Sequence, residues 1–387
     1  MLRPVVLVFL ALAGSALGGF LSRSGTDIWH NGERIFLSGA NTAWVSYAYD
    51  FGNNQYQYRR DRYIYLMDKV KEAGGNSMRT WVHIEGQTSP KFDSSGHVSG
   101  LDNDGTFISD FKRYLDDARA RNILIFPTLW NGAVHQRNEL GGLITVESKL
   151  QSYIDKALKP WVQAVKDHPA LGGWDIINEM EGIIKAGEYN SEPCFDTRSW
   201  AAVAPVKEEK KDKEQETKVE GKKNGGLYFN GFINWQADAI KQVDSSALVT
   251  AGSWTARSNT DNWGNRNFYS DNCLTKAGGR GGGTLTFYST HTYDWQGNFP
   301  QESPFKHSFN DFGLDKPLVV AEFNHLHGGG MSIEDLFRYA YDHGYDGAWT
   351  WHANADGSDT DDTDTQMRGI AALRGRVDFN GRVPINL

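Results

Sequence analysis

The sequence predicts an α/β protein of the (β/α)8 TIM-barrel class, folded as a single domain. Short apolar runs typical of strands alternate with amphipathic stretches typical of helices, which indicates a parallel sheet. The chain has eight such units, and this number favours a closed barrel over an open, doubly wound sheet. No Gly-x-Gly-x-x-Gly pattern follows the first strand, which disfavours a dinucleotide-binding fold. A length of 387 residues suits one barrel domain.

The predicted strands are rich in aliphatic and aromatic residues and are bounded by turn residues. In chain order they are 34–41, 76–83, 123–130, 171–179, 247–254, 284–293, 317–324 and 344–354. In α/β barrels the active site lies at the carboxyl ends of the strands. The polar residues at these ends are therefore the candidates for function.

The predicted helices have apolar residues at helical spacing, and the first two end at glycine or asparagine. In chain order the helices are 63–75, 107–122, 146–169, 227–244, 332–344 and 365–374. Pro160 should kink the third helix, because proline lacks a backbone N–H and crowds the preceding turn. The glycine- and asparagine-rich stretch 255–283 is predicted to be a long loop that could hold a short helix.

Residues 1–18 are predicted to be a secretory signal peptide, so we expect a secreted, extracellular protein. Arg3 precedes an apolar run from Val5 to Ala13, and small residues follow that run. The run is too short to span a bilayer, and a buried N-terminal helix is the alternative interpretation. The catalytic domain is then 19–387. Within it, residues 206–226 are almost all charged and contain no aromatic residue, which predicts a solvated loop insertion.

Composition and charge narrow the partners and cofactors. The net charge of −8 and the lack of a broad basic stripe disfavour nucleic acid and polyanionic substrates, whereas a neutral polymer fits. No later segment is long and apolar enough for a membrane. Cys194 and Cys273 form an even count in a secreted chain, which suggests a disulfide, with two buried thiols as the alternative. The acidic segment 354–365 lacks the EF-hand spacing, so we expect neither metal nor cofactor.

Charged, amide and aromatic residues gather at the predicted strand ends. They are Arg79, Trp130, Asn131, Asn178, Glu179, His291, Tyr293, Glu322, Trp349 and Trp351. Glu179 and Glu322 end buried runs, where a carboxylate is costly unless it has partners or a function. On the fourth and seventh strands they can face each other across the barrel mouth, as glycoside hydrolysis requires. A single glutamate there would usually be a helix cap or a surface charge, so the hypothesis depends on the whole set.

The motifs around these residues resemble glycoside hydrolase family 5. The resemblance is strongest in "WDIINE" (174–179), "HTY" (291–293) and "VVAEF" (319–323). Further segments are similar to invertebrate endo-β-1,4-mannanases, especially those of molluscs: "LSGANTAWVSYAYDFG" (37–52), "FPTLWNGA" (126–133) and "HGGGMSIEDLFRYA" (327–340). Two departures stand out. Met180 occupies the position of a common proline, and Trp130 and Asn131 stand where many members have a histidine.

The resemblance implies a retaining double displacement, with Glu179 as acid/base and Glu322 as nucleophile. It also implies supporting roles for further residues: Arg79, Asn178, His291, Tyr293 and Trp349. Trp130, Asn131 and Trp351 are additional candidates for substrate contact. Trp349 is favoured as the sugar platform, and Trp351 stays open between rim and core. We expect a monomer that acts on mannan, galactomannan or glucomannan. The alternatives are an endo-β-1,4-glucanase on the same fold and a non-catalytic carbohydrate-binding barrel, which the two retained carboxylates disfavour.

Overall fold

The computed structural model describes residues 20–134, 137–184, 187–198, 225–357, 359–378 and 380–387. The predicted signal peptide, 1–18, and most of the charged segment 206–226 lie outside these ranges. Among the described residues, no helix combines the length and apolar character that crossing a membrane requires.

Strands form a small N-terminal sheet, a central barrel and a short two-stranded sheet. In chain order they are β1 (Leu21–Ser24), β2 (Asp27–His30), β3 (Glu33–Arg34), β4 (Leu37–Asn41), β5 (Ser77–Ile84), β6 (Lys91–Phe92), β7 (Val98–Gly100), β8 (Leu124–Asn131), β9 (Trp174–Asn178), β10 (Val249–Ser253), β11 (Tyr288–His291), β12 (Leu318–Glu322) and β13 (Gly347–Thr350). Within the described ranges, eight parallel strands close the barrel in the order β4, β5, β8, β9, β10, β11, β12, β13 and back to β4. Each predicted strand overlaps one of them, and β5 and β8 each extend one residue beyond the predicted range, so the barrel prediction is confirmed.

Helices surround the barrel and connect its strands. They are α1 (Tyr56–Ala73), α2 (Phe107–Arg119), α3 (Asn138–Thr145), α4 (Glu147–Tyr153), α5 (Lys159–Val165), α6 (Gly225–Val243), α7 (Asp271–Gly278), α8 (Ile333–Asp342) and α9 (Thr363–Ala371). The predicted short helix in 255–283 is α7, whereas α3 was not predicted. A π-helical segment, Ile154–Leu158, separates α4 from α5. It ends just before Pro160, whose missing N–H breaks the regular hydrogen-bond ladder.

The barrel interior near the amino ends of the strands is apolar, and we call this region the barrel floor. It consists of Leu21, Ile28, Ile35, Leu37, Leu124, Phe126, Leu248, Phe287, Val319, Ala321 and Trp349. Leu21 and Ile28 belong to β1 and β2, so the N-terminal sheet covers this end of the barrel. The opposite end, the barrel mouth, is left for the site.

Cys194 and Cys273 form a disulfide, as predicted, and the alternative of two free thiols is wrong. Cys194 lies in the 3₁₀ turn Pro193–Phe195, and Cys273 lies in α7. The bond joins positions 79 residues apart. It therefore fastens the segment that follows β9 to a helix that follows β10.

Candidate active site

The two predicted carboxylates lie together at the barrel mouth. Glu179 directly follows β9, and Glu322 is the last residue of β12. A carboxylate oxygen of each glutamate and a ring nitrogen of His291 all lie within 4.8 Å of one another. His291 Nδ1 is 2.6 Å from Glu179 Oε1 and 3.4 Å from Glu322 Oε2. The imidazole thus contacts both carboxylates.

The backbone of Glu179 has a left-handed conformation, with φ 44° and ψ 54°, that residues other than glycine rarely adopt. Hydrogen bonds on both sides hold it there. The Glu179 N–H donates to the carbonyl of Gly252 in β10 at 2.8 Å, and the Glu179 carbonyl accepts from the Gly182 N–H at 3.0 Å. Such local strain is maintained only when the surrounding structure enforces it, and it is common at functional sites.

Arg79, from β5, is fully buried and anchors the polar network. Its Nη1 donates to Glu322 Oε1 at 2.6 Å and to Asn41 Oδ1 at 2.9 Å. Its Nε donates to Asp175 Oδ2 at 2.8 Å, and its Nη2 donates to Asn178 Oδ1 at 2.8 Å. The guanidinium therefore fixes one catalytic candidate, Glu322, and the amide that precedes the other.

The two glutamates have different electrostatic surroundings. Burial raises the pKa of Glu179 to about 7, against the opposing effects of Arg79 and Asn178. Burial raises the pKa of Glu322 as well, and the charge and hydrogen bond of Arg79 oppose that rise. The Tyr293 hydroxyl also donates to Glu322 Oε2 at 3.1 Å. Arg79 and Tyr293 both favour the anion of Glu322. When the two glutamates hold one proton between them, we therefore infer that it resides on Glu179.

His291 is neutral at pH 7, because burial lowers the pKa of its imidazole to about 4. A neutral ring can donate through Nδ1–H to a carboxylate or accept a proton there, so it can follow the protonation state of Glu179. Gly252 leaves the space for this arrangement. A Cβ at that position would lie 3.1 Å from both Arg79 Nη2 and His291 Nε2.

A chain of hydrogen bonds orients the two predicted asparagines. Asn178 Nδ2 donates to Asn131 Oδ1 at 3.1 Å, and Asn131 Nδ2 donates to the Tyr47 hydroxyl at 3.3 Å. Tyr47 in turn donates to Glu85 Oε1 at 3.4 Å. Each amide has a second N–H, which can bind a ligand.

An aromatic group borders the polar network, and we call it the mouth cluster: Trp44, Tyr47, Trp81 and Trp351. Trp351 lies 5.7 Å from Trp44 and 5.4 Å from Trp81, measured between ring centroids. The Arg79 guanidinium lies 5.9 Å from the Trp81 ring centroid, so the cluster and the carboxylate site are contiguous. Trp351 is half-buried and keeps part of its surface accessible.

Trp349 lies elsewhere, and its prediction as the sugar platform is wrong. Its indole is fully buried in the barrel floor, 4.8 Å from the ring of Phe126. Its Nε1 donates to Ser77 Oγ at 2.9 Å, at the start of β5. The physical reason is depth: Trp349 lies within β13, whereas Trp351 follows its last residue, Thr350.

The predicted substrate contact of Trp130 is also wrong. Side chains alternate along β8, so Trp130 points outward while its neighbour Asn131 reaches the mouth. Trp130 is fully buried between the barrel and the helices, with Nε1 donating to Gln236 Oε1 at 3.0 Å. Its ring centroid lies 4.9 Å from that of Tyr153. It is a packing residue of the barrel wall.

The acidic segment 354–365 organises loops at the rim. Both carboxylate oxygens of Asp361 accept backbone N–H groups, from His325 at 2.6 Å and from Leu326 at 3.0 Å. Asp356 Oδ2 accepts from Trp44 Nε1 at 3.0 Å. These carboxylates hold the mouth cluster and the loop after β12 in place.

Four polar residues of the network were not singled out from the sequence: Asn41, Tyr47, Glu85 and Asp175. Asp175 lies inside the quoted motif "WDIINE", where a charged residue within an otherwise apolar strand was an available signal. Asn41 ends the first barrel strand, which was a second signal.

Comparison with known proteins identifies relatives of this chain. No family model matches it. It is 51% identical to a mannan endo-1,4-β-mannosidase of Mytilus edulis over 381 residues, which covers 95% of each chain. Identity to the mannan endo-1,4-β-mannosidase of Cryptopygus antarcticus is 42% over 364 residues, covering 94% of this chain and 92% of the relative.

Solved structures similar to this chain are also β-mannanases. The X-ray structure of the blue mussel β-mannanase superposes with a TM-score of 0.87 at 50% identity, covering 96% of this chain and 100% of the mussel chain. The β-1,4-mannanase of the sea hare Aplysia kurodai superposes with a TM-score of 0.87 at 46% identity, covering 95% and 100%.

Proposed function

The chain belongs to the mannan endo-1,4-β-mannosidases of glycoside hydrolase family 5, and we propose that it cleaves internal β-1,4-mannosidic bonds by a retaining double displacement. The likeness to the mussel enzyme over nearly the whole of both chains supports the reaction. The observation that carries the mechanism is the close approach of Glu179 and Glu322, whose nearest oxygens lie within 4.8 Å.

This separation favours retention over inversion. Retaining glycosidases hold their carboxyl groups about 5–5.5 Å apart, so that one can attack the sugar directly. Inverting enzymes need roughly 6.5–9.5 Å, because a water molecule must fit between the carboxylate and the anomeric carbon. The oxygens of Glu179 and Glu322 that lie within 4.8 Å of each other support the shorter, retaining separation.

In the first step, Glu322 attacks the anomeric carbon and forms an ester with the sugar. The glycosidic C–O bond breaks, and Glu179 gives its proton to the leaving oxygen. Arg79 and Tyr293 hold the two oxygens of Glu322 and keep it ionised for attack. A pKa of about 7 lets Glu179 carry the proton at neutral pH and still release it to the leaving group.

In the second step, the ionised Glu179 accepts a proton from a water molecule. The oxygen of that water attacks the anomeric carbon, and the bond to Glu322 breaks. The product keeps its β configuration, and both carboxyl groups return to their starting states. His291 contacts both carboxyl groups and stays neutral. Its Nδ1 can therefore accept a hydrogen bond from protonated Glu179 or donate one to ionised Glu179, without adding a charge to the site.

The surroundings suggest how a sugar is held. Trp351 belongs to the mouth cluster, which adjoins the carboxylate site through Trp81 and Arg79, and the C–H face of a pyranose can stack on its indole. The second N–H of Asn178 can donate to a hydroxyl of the same sugar. We propose that mannan, galactomannan and glucomannan are substrates of a secreted monomer; the N-terminal pattern of 1–18 supports secretion.

Two assays test the substrate polymer and the mechanism. The purified protein is incubated with linear mannan, galactomannan, glucomannan and carboxymethylcellulose, and the released reducing ends are quantified. We expect rapid release from the mannans and little from carboxymethylcellulose. Proton NMR of the first product on a short manno-oligosaccharide should show the β anomer before mutarotation. Faster cleavage of carboxymethylcellulose would identify a glucanase, and an initial α anomer would establish inversion.

A further inference from the structure

A third carboxylate lies in the barrel below the catalytic pair, on the same strand that leads to Glu179. Asp175, in β9, is fully buried, and both of its oxygens are hydrogen-bonded. Oδ2 accepts from Arg79 Nε and from Thr128 Oγ1, each at 2.8 Å. Oδ1 accepts from the backbone N–H of Gly252 at 3.0 Å. These donors, from β5, β8 and β10, hold the carboxylate in one orientation.

Asp175 determines how Arg79 is presented to the site. A guanidinium is planar and its donors form a rigid fork. Because Asp175 takes the Nε–H, the plane is set so that Nη1 reaches Glu322 and Nη2 reaches Asn178. Arg79 therefore connects Asp175 to both halves of the catalytic pair, through Glu322 directly and through the residue that precedes Glu179.

The charges of the site do not balance if every carboxyl group is ionised. Arg79 supplies one positive charge, and His291 supplies none at pH 7. Asp175, Glu179 and Glu322 would together supply three negative charges. An excess of two negative charges in a buried site is costly, so the group of carboxyls retains a proton.

We propose that Asp175 is a positioning residue of this reaction, which fixes Arg79 against Glu322 and whose negative charge keeps the catalytic proton on Glu179 near neutral pH. The inference rests on the proposed roles of Glu179 and Glu322. Asp175 does not touch the reacting atoms; it acts through Arg79 and through its charge.

The other ionisable groups around Asp175 do not replace that charge. They are Arg79 from β5, His291 from β11 and Tyr269, which precedes α7. Burial holds the pKa of Tyr269 well above its ordinary value, so it is neutral at pH 7. The Tyr269 hydroxyl also donates to Glu181 Oε1 at 3.0 Å.

Arg79 and His291 also face Glu179 and Glu322. In addition, Tyr293 contacts Glu322, and burial holds the pKa of Tyr293 well above its ordinary value, so this phenol is neutral too. Burial raises the pKa of Glu181 to about 7, and its oxygens accept from Tyr269 and from the backbone N–H of Trp254. Among these groups, two carboxylates form a direct ion pair with Arg79: Glu322 and Asp175.

The test is the pH profile of kcat/KM for the Asp175→Asn variant on mannan, from about pH 4 to about pH 9. Removing a negative charge lowers the pKa of both remaining carboxyls, so we expect the acidic and the basic limb to move down by about one pH unit. At pH 7, kcat/KM should fall roughly ten- to a hundredfold, because Glu179 loses its proton and Arg79 loses its anchor.

Matched variants separate charge from packing. Asp175→Glu keeps the charge with a changed length, so it should lower activity and leave both limbs in place. Thr128→Val removes one hydrogen bond to Asp175 but not the charge, and it should likewise leave the limbs in place. Asp175→Ser is a second neutral variant with room for water, and it should reproduce the shift of Asp175→Asn. Circular dichroism and melting temperature verify that each variant is folded.

Three results would overturn the inference: unshifted limbs in the neutral variants, equal shifts in Asp175→Glu, or failure of both neutral variants to fold, which would make Asp175 purely structural. These outcomes differ from failure of the proposed function. If the catalytic pair is misassigned, Glu179→Gln and Glu322→Gln would keep their activity on mannan whatever Asp175 does.

Discussion

The barrel floor and the barrel mouth are built from the same strands with opposite chemistry. The floor is apolar and is covered by the N-terminal sheet, and Trp349 is buried within it against Phe126. The mouth buries a cation, carboxylates and amides around Arg79. Trp349 and Trp351 are two residues apart and point to the same side, yet they belong to different ends of the interior.

This difference separates stability from function along a single strand. Apolar burial at the floor lowers the free energy of the folded state. Features of the mouth instead raise the free energy of the folded state. Glu179 has a strained backbone, and burial raises the pKa of both glutamates, so their ionised forms are disfavoured. Substitutions at the mouth should therefore cost activity and spare stability, whereas substitutions at the floor should cost stability first.

The largest effect is expected for Glu179→Gln and Glu322→Gln. Each should reduce turnover of mannan by at least roughly 10²–10⁴-fold, because general acid–base or nucleophilic help is lost. Each variant should keep its fold, because glutamine has the size of a glutamic acid side chain and retains an oxygen that can accept a hydrogen bond. The control is Glu334→Gln, at a surface ion pair with Arg368, and it should keep full activity. Near-normal turnover in either mouth variant would contradict the assignment.

Trp349→Ala tests the floor. Emptying a buried indole site should lower the free energy of unfolding by about 3–5 kcal/mol, through lost burial and the cavity that remains. Chemical denaturation of the purified variant measures this loss. Under conditions where the variant is folded, kcat/KM should change little. A strong loss of kcat/KM in a fully folded, equally stable protein would return Trp349 to the sugar site.

Trp351→Ala tests the mouth with the same substitution. We expect a loss of about 1.5–3 kcal/mol of transition-state stabilisation, or roughly ten- to a hundredfold in kcat/KM, from the missing sugar-stacking face. Because Trp351 is half-buried, the melting temperature should fall by much less than in Trp349→Ala. Trp351→Phe should recover part of the activity. Comparable destabilisation by both alanine variants would remove the distinction between mouth and floor.

The sequence predicted the barrel, its eight strands and the Cys194–Cys273 pair. It also predicted the two glutamates and the side chains that contact them, Arg79, His291 and Tyr293. Periodicity and strand ends carry that much information. Alternation alone would have separated Trp130 from Asn131, because adjacent residues of one strand face opposite sides. The depth of Trp349 was harder, since a shift of two residues at a strand end moves a side chain from floor to mouth. Tyr47 and Glu85 were missed because they lie in loops, where position follows from tertiary contacts.

The smallest effect is expected at Asp346, a carboxyl group buried at the floor just before β13. Burial raises its pKa from 3.8 to about 8, against the opposing charge of Arg34 at 3.7 Å. Its Oδ1 accepts the backbone N–H of Ile28 at 3.2 Å, which ties β2 to the barrel. Asp346 is therefore an ionisable group at the barrel floor, the end of the barrel where we expect a charge to be least tolerated.

The direction of the pH effect follows from proton binding. Between about pH 4 and pH 8 the folded protein holds a proton on Asp346 that the unfolded chain releases, so this contribution to stability is present at low pH and is lost as the pH rises through about 8. Asp346→Asn keeps an oxygen for the Ile28 N–H and removes the titration. Relative to the parent protein, its melting temperature should gain at least ~2–4 °C more at pH 8 than at pH 5. Asp342→Asn, at an exposed pair with Arg376, is the control and should show no such dependence. A gain that is equal at both pH values would show that the floor tolerates this charge, and the contrast between the two ends would then rest on Trp349 and Trp351 alone.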